Sequence, residues 1–136
     1  MPGKKSETIK KCESELKKVL QHNIAEIRYN RKVTQHTISK ALGISRETYS
    51  NYENRTIPPQ YLIYQLAKVY NVSPSVFYDE NLDVEKLFVE NDNSEIYGEN
   101  SFIDLSDDEK LFVMKIRQLN KKDREKLLKE INSILD

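Results

Sequence analysis

Residues 33–55 read VTQHTISKALGISRETYSNYENR, and this stretch predicts two short helices joined by a sharp turn. Thr34 suits the N-cap of the first helix, because its hydroxyl can accept a hydrogen bond from a free backbone N–H. The apolar stripe of this helix consists of Ile38, Ala41 and Leu42. Gly43 follows and can adopt the left-handed conformation that ends a helix without a Cβ penalty.

The second of these helices has two contrasting faces. Ser45 suits its N-cap, and Tyr49 and Tyr52, three residues apart, give it an inner face. The outer face carries hydrogen-bonding side chains: Arg46, Glu47, Ser50, Asn51 and Asn54. A short helix with a polar outer face of this kind can lie in the major groove of DNA.

The flanking sequence extends this pattern from Ile24 to Tyr78. The residues that carry it are Arg28, Thr34, Gln35, Ile38, Ser39, Ala41, Leu42, Gly43, Ile44, Ser45, Tyr49, Tyr52, Glu53, Pro58, Pro59, Leu66, Ala67, Val72 and Ser73. On these residues the segment resembles the Cro/repressor-type helix-turn-helix family, also called the XRE family. The resemblance implies an all-α fold with a five-helix lambda-repressor-like domain that binds double-stranded DNA in a sequence-specific way.

The resemblance also implies roles for individual residues. Gln35 matches a glutamine that contacts a phosphate, and its place at a helix N-terminus suits an anion. Three residues match base-reading positions: Arg46, Glu47 and Asn51. Arg46 suits guanine, Asn51 suits adenine and Glu47 suits cytosine, although Glu47 could instead pair with Arg46. Further expected contacts to the DNA backbone are Ser45, Thr48, Ser50, Asn54, Arg55 and Thr56.

One pair is expected to be structural. Arg28 and Glu53 match positions that form a partly buried ion pair between the first helix and the end of the recognition helix. The planar fork of arginine suits a carboxylate, because it donates two parallel hydrogen bonds. We therefore expect Arg28 to hold two helices together rather than to contact DNA.

The charge of the chain is unevenly distributed. Lys and Arg number 22, as do Asp and Glu, so the net charge is zero. Residues 1–57 hold 12 basic and 6 acidic side chains, a net of +6, whereas residues 58–105 hold 2 and 9, a net of −7. The basic part contains the predicted recognition helix, where contact with phosphates requires positive charge.

Two segments flank the predicted domain, which we place at residues 19–79. Residues 1–18 form an N-terminal basic arm or helix extension, with lysines that either reach DNA phosphates or form a solvated helix face; the second interpretation is favoured. Residues 80–105 are acidic and rich in Asn, which indicates a linker, with one short helix predicted at 83–89.

Residues 106–136 predict a C-terminal helical hairpin. Ser106 and Glu109 have the spacing of a capping box, and Asn120 suits the N-cap of a second helix. Two such short helices lack a core of their own, so their apolar face must pack on the first domain or on a second copy. We expect a homodimer through this hairpin, with oligomerisation residues Leu111, Phe112, Ile116, Leu119, Leu127, Leu128, Ile131, Ile134 and Leu135.

Together these features predict a transcriptional regulator, more specifically a repressor that binds an inverted-repeat operator as a homodimer. The alternative is an antitoxin whose hairpin binds a partner toxin, and an antagonist protein could also dock on the hairpin. An enzyme is not expected, nor is a cofactor or metal, because His22 and His36 lie far from acidic clusters. One cysteine, no long apolar run and no apolar N-terminal segment indicate a cytoplasmic protein. The high usage of Lys, Asn, Ile and Tyr suggests an AT-rich bacterial, plasmid or phage genome.

Overall fold

The computed structural model describes residues 6–91 and 102–135. These ranges are all-helical. The helices are α1 (Glu7–Asn30), α2 (Gln35–Leu42), α3 (Arg46–Asn54), α4 (Gln60–Tyr70), a 3-10 helix (Pro74–Tyr78), α5 (Val84–Asn91), α6 (Asp107–Arg117) and α7 (Lys121–Leu135). Within the described ranges, no helix is long and apolar enough to cross a membrane.

Local side-chain chemistry sets the ends of α2 and α3. The Thr34 hydroxyl accepts from the Thr37 N–H at 3.0 Å, and the Ser45 hydroxyl accepts from the Thr48 N–H at 3.1 Å. Between the two helices, Gly43 has a φ of 75°, which lies in the left-handed region that glycine adopts without a Cβ penalty. The turn predicted from the sequence is therefore present, with its caps and its glycine.

The core lies between α1, α2, α3, α4 and the 3-10 helix. Its fully buried side chains include Leu20, Ile24, Ile27, Ile38, Tyr49, Leu62, Ile63, Leu66, Val69 and Phe77. Asn23 is buried among them, and its amide donates to the backbone oxygens of Phe77 and Asp79 at 2.9 and 2.8 Å. This amide satisfies the polar backbone where the 3-10 helix ends against α1.

Two buried aromatic side chains, one in α5 and one just before α6, pack at the C-terminal end of α1. Phe88 of α5 and Phe102 before α6 are both buried, and the Arg31 guanidinium lies 4.1 Å and 4.9 Å from their ring centres. Such cation–π contacts are stronger when they are removed from water. Parts of the expected linker therefore pack on the first domain, while 92–101 lie outside the described residues.

Helix α6 packs against α2 and α4. Met114 is fully buried, and Lys110 Nζ donates to the Lys32 oxygen at 2.8 Å. Gln118 Nε2 donates to the Ala41 oxygen, also at 2.8 Å. Of the two predicted ways to bury the hairpin, the structure shows the first for α6, which packs on the first domain and completes its core.

Helix α7 has no buried residue. Arg124 links its first turn to the end of α6, because its guanidinium donates to the oxygens of Ile116 and Arg117 at 3.2 and 3.0 Å. Among the residues expected to mediate oligomerisation, the exposed ones are Phe112, Leu128, Ile134 and Leu135, and the half-buried ones are Leu111, Ile116, Leu119, Leu127 and Ile131. The apolar stripe of α7 is thus left largely uncovered within one chain.

Candidate nucleic-acid interface

A buried ion pair fixes α3 to α1. Arg28 Nε donates to Glu53 Oε2 at 2.7 Å, and Arg28 Nη2 donates to Glu53 Oε1 at 3.0 Å. The third nitrogen, Nη1, donates to the Val33 oxygen at 3.0 Å. The side chains of both partners are more than nine-tenths buried. Every guanidinium nitrogen therefore has a partner, and the end of α3 cannot rotate relative to α1 without breaking this set.

The pKa shifts of Arg28 and Glu53 both favour the charged form of the side chain. Burial alone would raise the pKa of Glu53, but hydrogen bonds from Arg28 and Gln35 lower it below its ordinary value. Burial likewise opposes the charged form of Arg28, and the hydrogen bond and negative charge of Glu53 outweigh it, so that the pKa of Arg28 is raised. Both groups stay ionised at neutral pH.

Two tyrosines surround this pair from the core side. Tyr49 and Tyr70 are buried, and burial raises the pKa of both hydroxyls well above the usual range. The nearby charge of Glu53 also raises both values. These side chains are therefore part of the core, whereas Tyr61 and Tyr64 on α4 are exposed.

Gln35 connects the buried pair to the outer face of α3. Its Nε2 donates to Glu53 Oε1 at 3.1 Å, and its Oε1 accepts from Arg46 Nη1 at 3.4 Å. The first turn of α2 and the first turn of α3 are thus linked by one amide. Because the Glu53 carboxylate fixes the direction of this amide, its oxygen faces Arg46.

The outer face of α3 is open to solvent. Arg46, Glu47 and Asn51 are exposed on it. These three line a shallow depression together with Ser50, Asn54 and Arg55. The structure therefore brings the three expected base-reading side chains together on one surface, and Arg46 contacts Gln35 across its edge.

Most of the expected backbone-contacting residues lie near the two ends of α3, and Ser50 lies at its middle. At the start, Ser45 and Thr48 form the N-cap, with their hydroxyl oxygens 2.9 Å apart. At the end, Asn54 Nδ2 donates to the Ser50 backbone oxygen at 2.9 Å. Thr56 is exposed after the helix, and its N–H donates to the Asn51 oxygen at 2.9 Å. Ser45 and Asn54 therefore have structural roles in the free chain.

One residue on this face was missed by the sequence analysis. Gln21 Nε2 donates to the Thr56 oxygen at 3.2 Å, which attaches the loop after α3 to α1. Its position seven residues before Arg28, two helical turns away, places both side chains on the same side of α1. This spacing was visible in the sequence, but the partner of Gln21 is a backbone oxygen that no sequence motif marks.

The comparisons with known proteins agree with this geometry. Residues 24–77 match a protein-family model described as Helix-turn-helix. The matched range contains α2, α3 and α4 in full and the last turns of α1. No curated protein and no solved structure matches the chain.

Proposed function

Residues 24–77 belong to the Cro/repressor-type helix-turn-helix family, and from this premise we propose that the chain is a repressor that binds an inverted-repeat operator as a homodimer. The chain is a DNA-binding transcriptional regulator. The repressor role, the form of the operator and the homodimer are the parts that we propose.

The observation that carries the proposal is the outer face of α3. Arg46, Glu47 and Asn51 are exposed together on a helix that the Arg28–Glu53 pair fixes to the rest of the domain. Arg46 suits the O6 and N7 acceptors of guanine, and Asn51 suits the N7 acceptor and N6 donor of adenine. A rigid helix with these groups can distinguish base pairs in the major groove.

The need for two copies follows from the size of this surface. One recognition helix reads about four base pairs, and a dimer that reads two half-sites about one helical turn apart gives a longer site. Helix α7 offers the surface for this dimer, because Leu128, Ile134 and Leu135 are exposed on it. We propose that α7 of one chain packs on α7 of a second copy.

In this proposal, repression results from occupation of the operator by the dimer. Two α3 helices in successive major grooves on one face of the DNA cover the duplex between them, so a promoter that contains the operator is closed to polymerase. A reporter gene placed behind the operator tests the sign of regulation. Expression should fall when the regulator is produced, and an increase would refute the repressor role.

The exposed stripe of α7 also favours a second candidate function. An antitoxin would use the same α3 surface for DNA and would cover α7 with a partner toxin, and an antagonist protein could dock there in the same way. The two functions predict different masses for the isolated chain in solution. A repressor is a homodimer on its own, whereas an antitoxin of this kind pairs α7 only with its partner.

The experiment that tests the proposed function is a selection of binding sites from a pool of random double-stranded DNA. We expect enrichment of one half-site in two inverted copies, with centres about 10 base pairs apart or at a multiple of that distance. Enrichment of a single unrepeated half-site would overturn the inverted repeat, and an unenriched pool would overturn sequence-specific binding.

A further inference from the structure

A basic groove lies beside the recognition helix. Its lining comes from α1 and from the loop after α3: Lys10, Glu13, Ser14, Lys17, Arg55, Thr56 and Ile57. Three of these side chains are cations and one is a carboxylate. Arg55 also lines the depression on the outer face of α3, so the groove adjoins that surface.

The two walls of this groove have fixed positions. Helix α1 is continuous from Glu7 to Asn30, with Ser6 as its N-cap, so its first half has the same axis as the half that enters the core. The Gln21 amide holds the Thr56 oxygen at 3.2 Å and so attaches the opposite wall to α1. The lysines of α1 thus have a defined place relative to α3.

We infer that this groove binds phosphates of the DNA strand next to the major groove that α3 occupies. The inference rests on the proposed function and adds to it a second contact region, outside residues 24–77. Lys10 and Lys17 supply the positive charge, Arg55 joins them to the α3 surface, and the hydroxyls of Ser14 and Thr56 can donate to phosphate oxygens.

The spacing of the two lysines suits one strand. Seven residues of α-helix rise about 10 Å, and each DNA strand carries one phosphate per about 3.4 Å of the duplex axis, so two lysines at this separation can meet two phosphates of one strand. Both lysines can therefore reach phosphates at the same time. Lys10 also lies 3.8 Å from Glu7, but this pair is exposed, and an exposed pair of this kind is weak enough to yield to a phosphate.

The other described lysines of this half of α1 provide a matched control. Lys11 and Lys18 are exposed, are also seven residues apart and lie about 100° around the helix from the groove. Lys10→Ala/Lys17→Ala and Lys11→Ala/Lys18→Ala remove the same charge from the same helix. Lys17 is half-buried and the other three lysines are exposed, so neither double variant should unfold the domain, and circular dichroism checks this.

The experiment measures binding of the full chain and both variants to a fluorescein-labelled random-sequence 30-base-pair duplex over a range of NaCl concentrations. Each phosphate contact contributes about 0.9 to the slope of log K against log salt. We expect the Lys10/Lys17 variant to lose about 1.8 from this slope and up to about 60-fold in affinity at 0.1 M salt. The Lys11/Lys18 variant should keep the slope of the natural chain.

Equal losses in the two variants would overturn the inference, because they would show a general effect of charge rather than contact in the groove. An unchanged slope in the Lys10/Lys17 variant would also overturn it while leaving the proposed function intact. Failure of the natural chain to bind the duplex at low salt would refute both.

Discussion

The buried pair of Arg28 and Glu53 allows the sharpest prediction about stability. Glu53→Ala removes the acceptor of two short hydrogen bonds, at 2.7 and 3.0 Å, and leaves the guanidinium without an opposing charge. Arg28 keeps one hydrogen bond, to the Val33 oxygen. The Gln35 amide loses its fixed partner at the same time.

The expected cost follows from this burial. Removing one partner of a buried ion pair costs about 3–5 kcal/mol, because the charge that remains is both desolvated and unpaired. The free energy of unfolding of a small domain is about 5–15 kcal/mol, so the variant should be close to the limit of folding. At about 4 °C per kcal/mol, Tm should fall by about 12–20 °C.

Thermal and urea unfolding measure this cost in a double-mutant cycle. The variants are Glu53→Ala, Arg28→Met and the pair Arg28→Met/Glu53→Ala. The double variant should lose much less than the sum of the two single variants, because it leaves neither charge buried alone. A loss of less than 1 kcal/mol in Glu53→Ala, or strictly additive losses, would refute the argument that this pair is buried and coupled.

Three further predictions concern the pH dependence of stability, the reading of bases and the packing of α6. The pKa of Glu53 is lower in the folded chain than its ordinary value of 4.5, so the stability that its charge provides is present above about pH 4.5 and is lost as the pH falls through the lowered value. Urea unfolding from pH 7 to pH 3 should show this loss. A natural chain that is as stable at pH 3 as at pH 7 would contradict the prediction. Arg46→Ala and Asn51→Ala should each leave Tm unchanged but reduce, by about 1–3 kcal/mol, the difference in binding free energy between the selected operator and an operator changed at the contacted base. Competition binding measures this difference, and a variant that keeps the full difference would show that its residue does not read a base. Met114→Ala should lower the free energy of unfolding in urea by about 2–5 kcal/mol, because the Met114 side chain is fully buried. The control Lys115→Ala on the same helix should change it by less than about 0.5 kcal/mol. Equal effects would mean that α6 is not part of the core.

Local sequence chemistry was enough to predict the helix-turn-helix. Thr34 and Ser45 cap the helices that follow them, and Gly43 adopts the left-handed conformation between them. These features depend on neighbours within four residues, so the sequence reveals them directly. The exposure of Asn51 follows for the same reason, because the helical repeat places it about 200° around α3 from the buried Tyr49.

Contacts between distant segments could not be predicted in this way. The sequence left open whether the hairpin packs on the first domain or on a second copy, and the choice depends on how Met114 and Gln118 meet α2. Phe88 and Phe102 lie in an acidic segment that resembles a linker, yet both rings pack on Arg31. Such contacts join residues more than 50 positions apart, and no local pattern marks them.

The mass of the full chain in solution, measured by light scattering, tests most directly the claim that α7 joins two copies into a regulator of an inverted repeat. One chain has a mass of 16.0 kDa, so we predict about twice that mass for the natural chain and the monomer mass for Leu128→Gln/Ile134→Gln. The control Lys122→Gln/Lys129→Gln alters the opposite face of α7 and should stay a dimer. A natural chain at 16.0 kDa would contradict the account and would favour the antitoxin, whose α7 pairs with another protein.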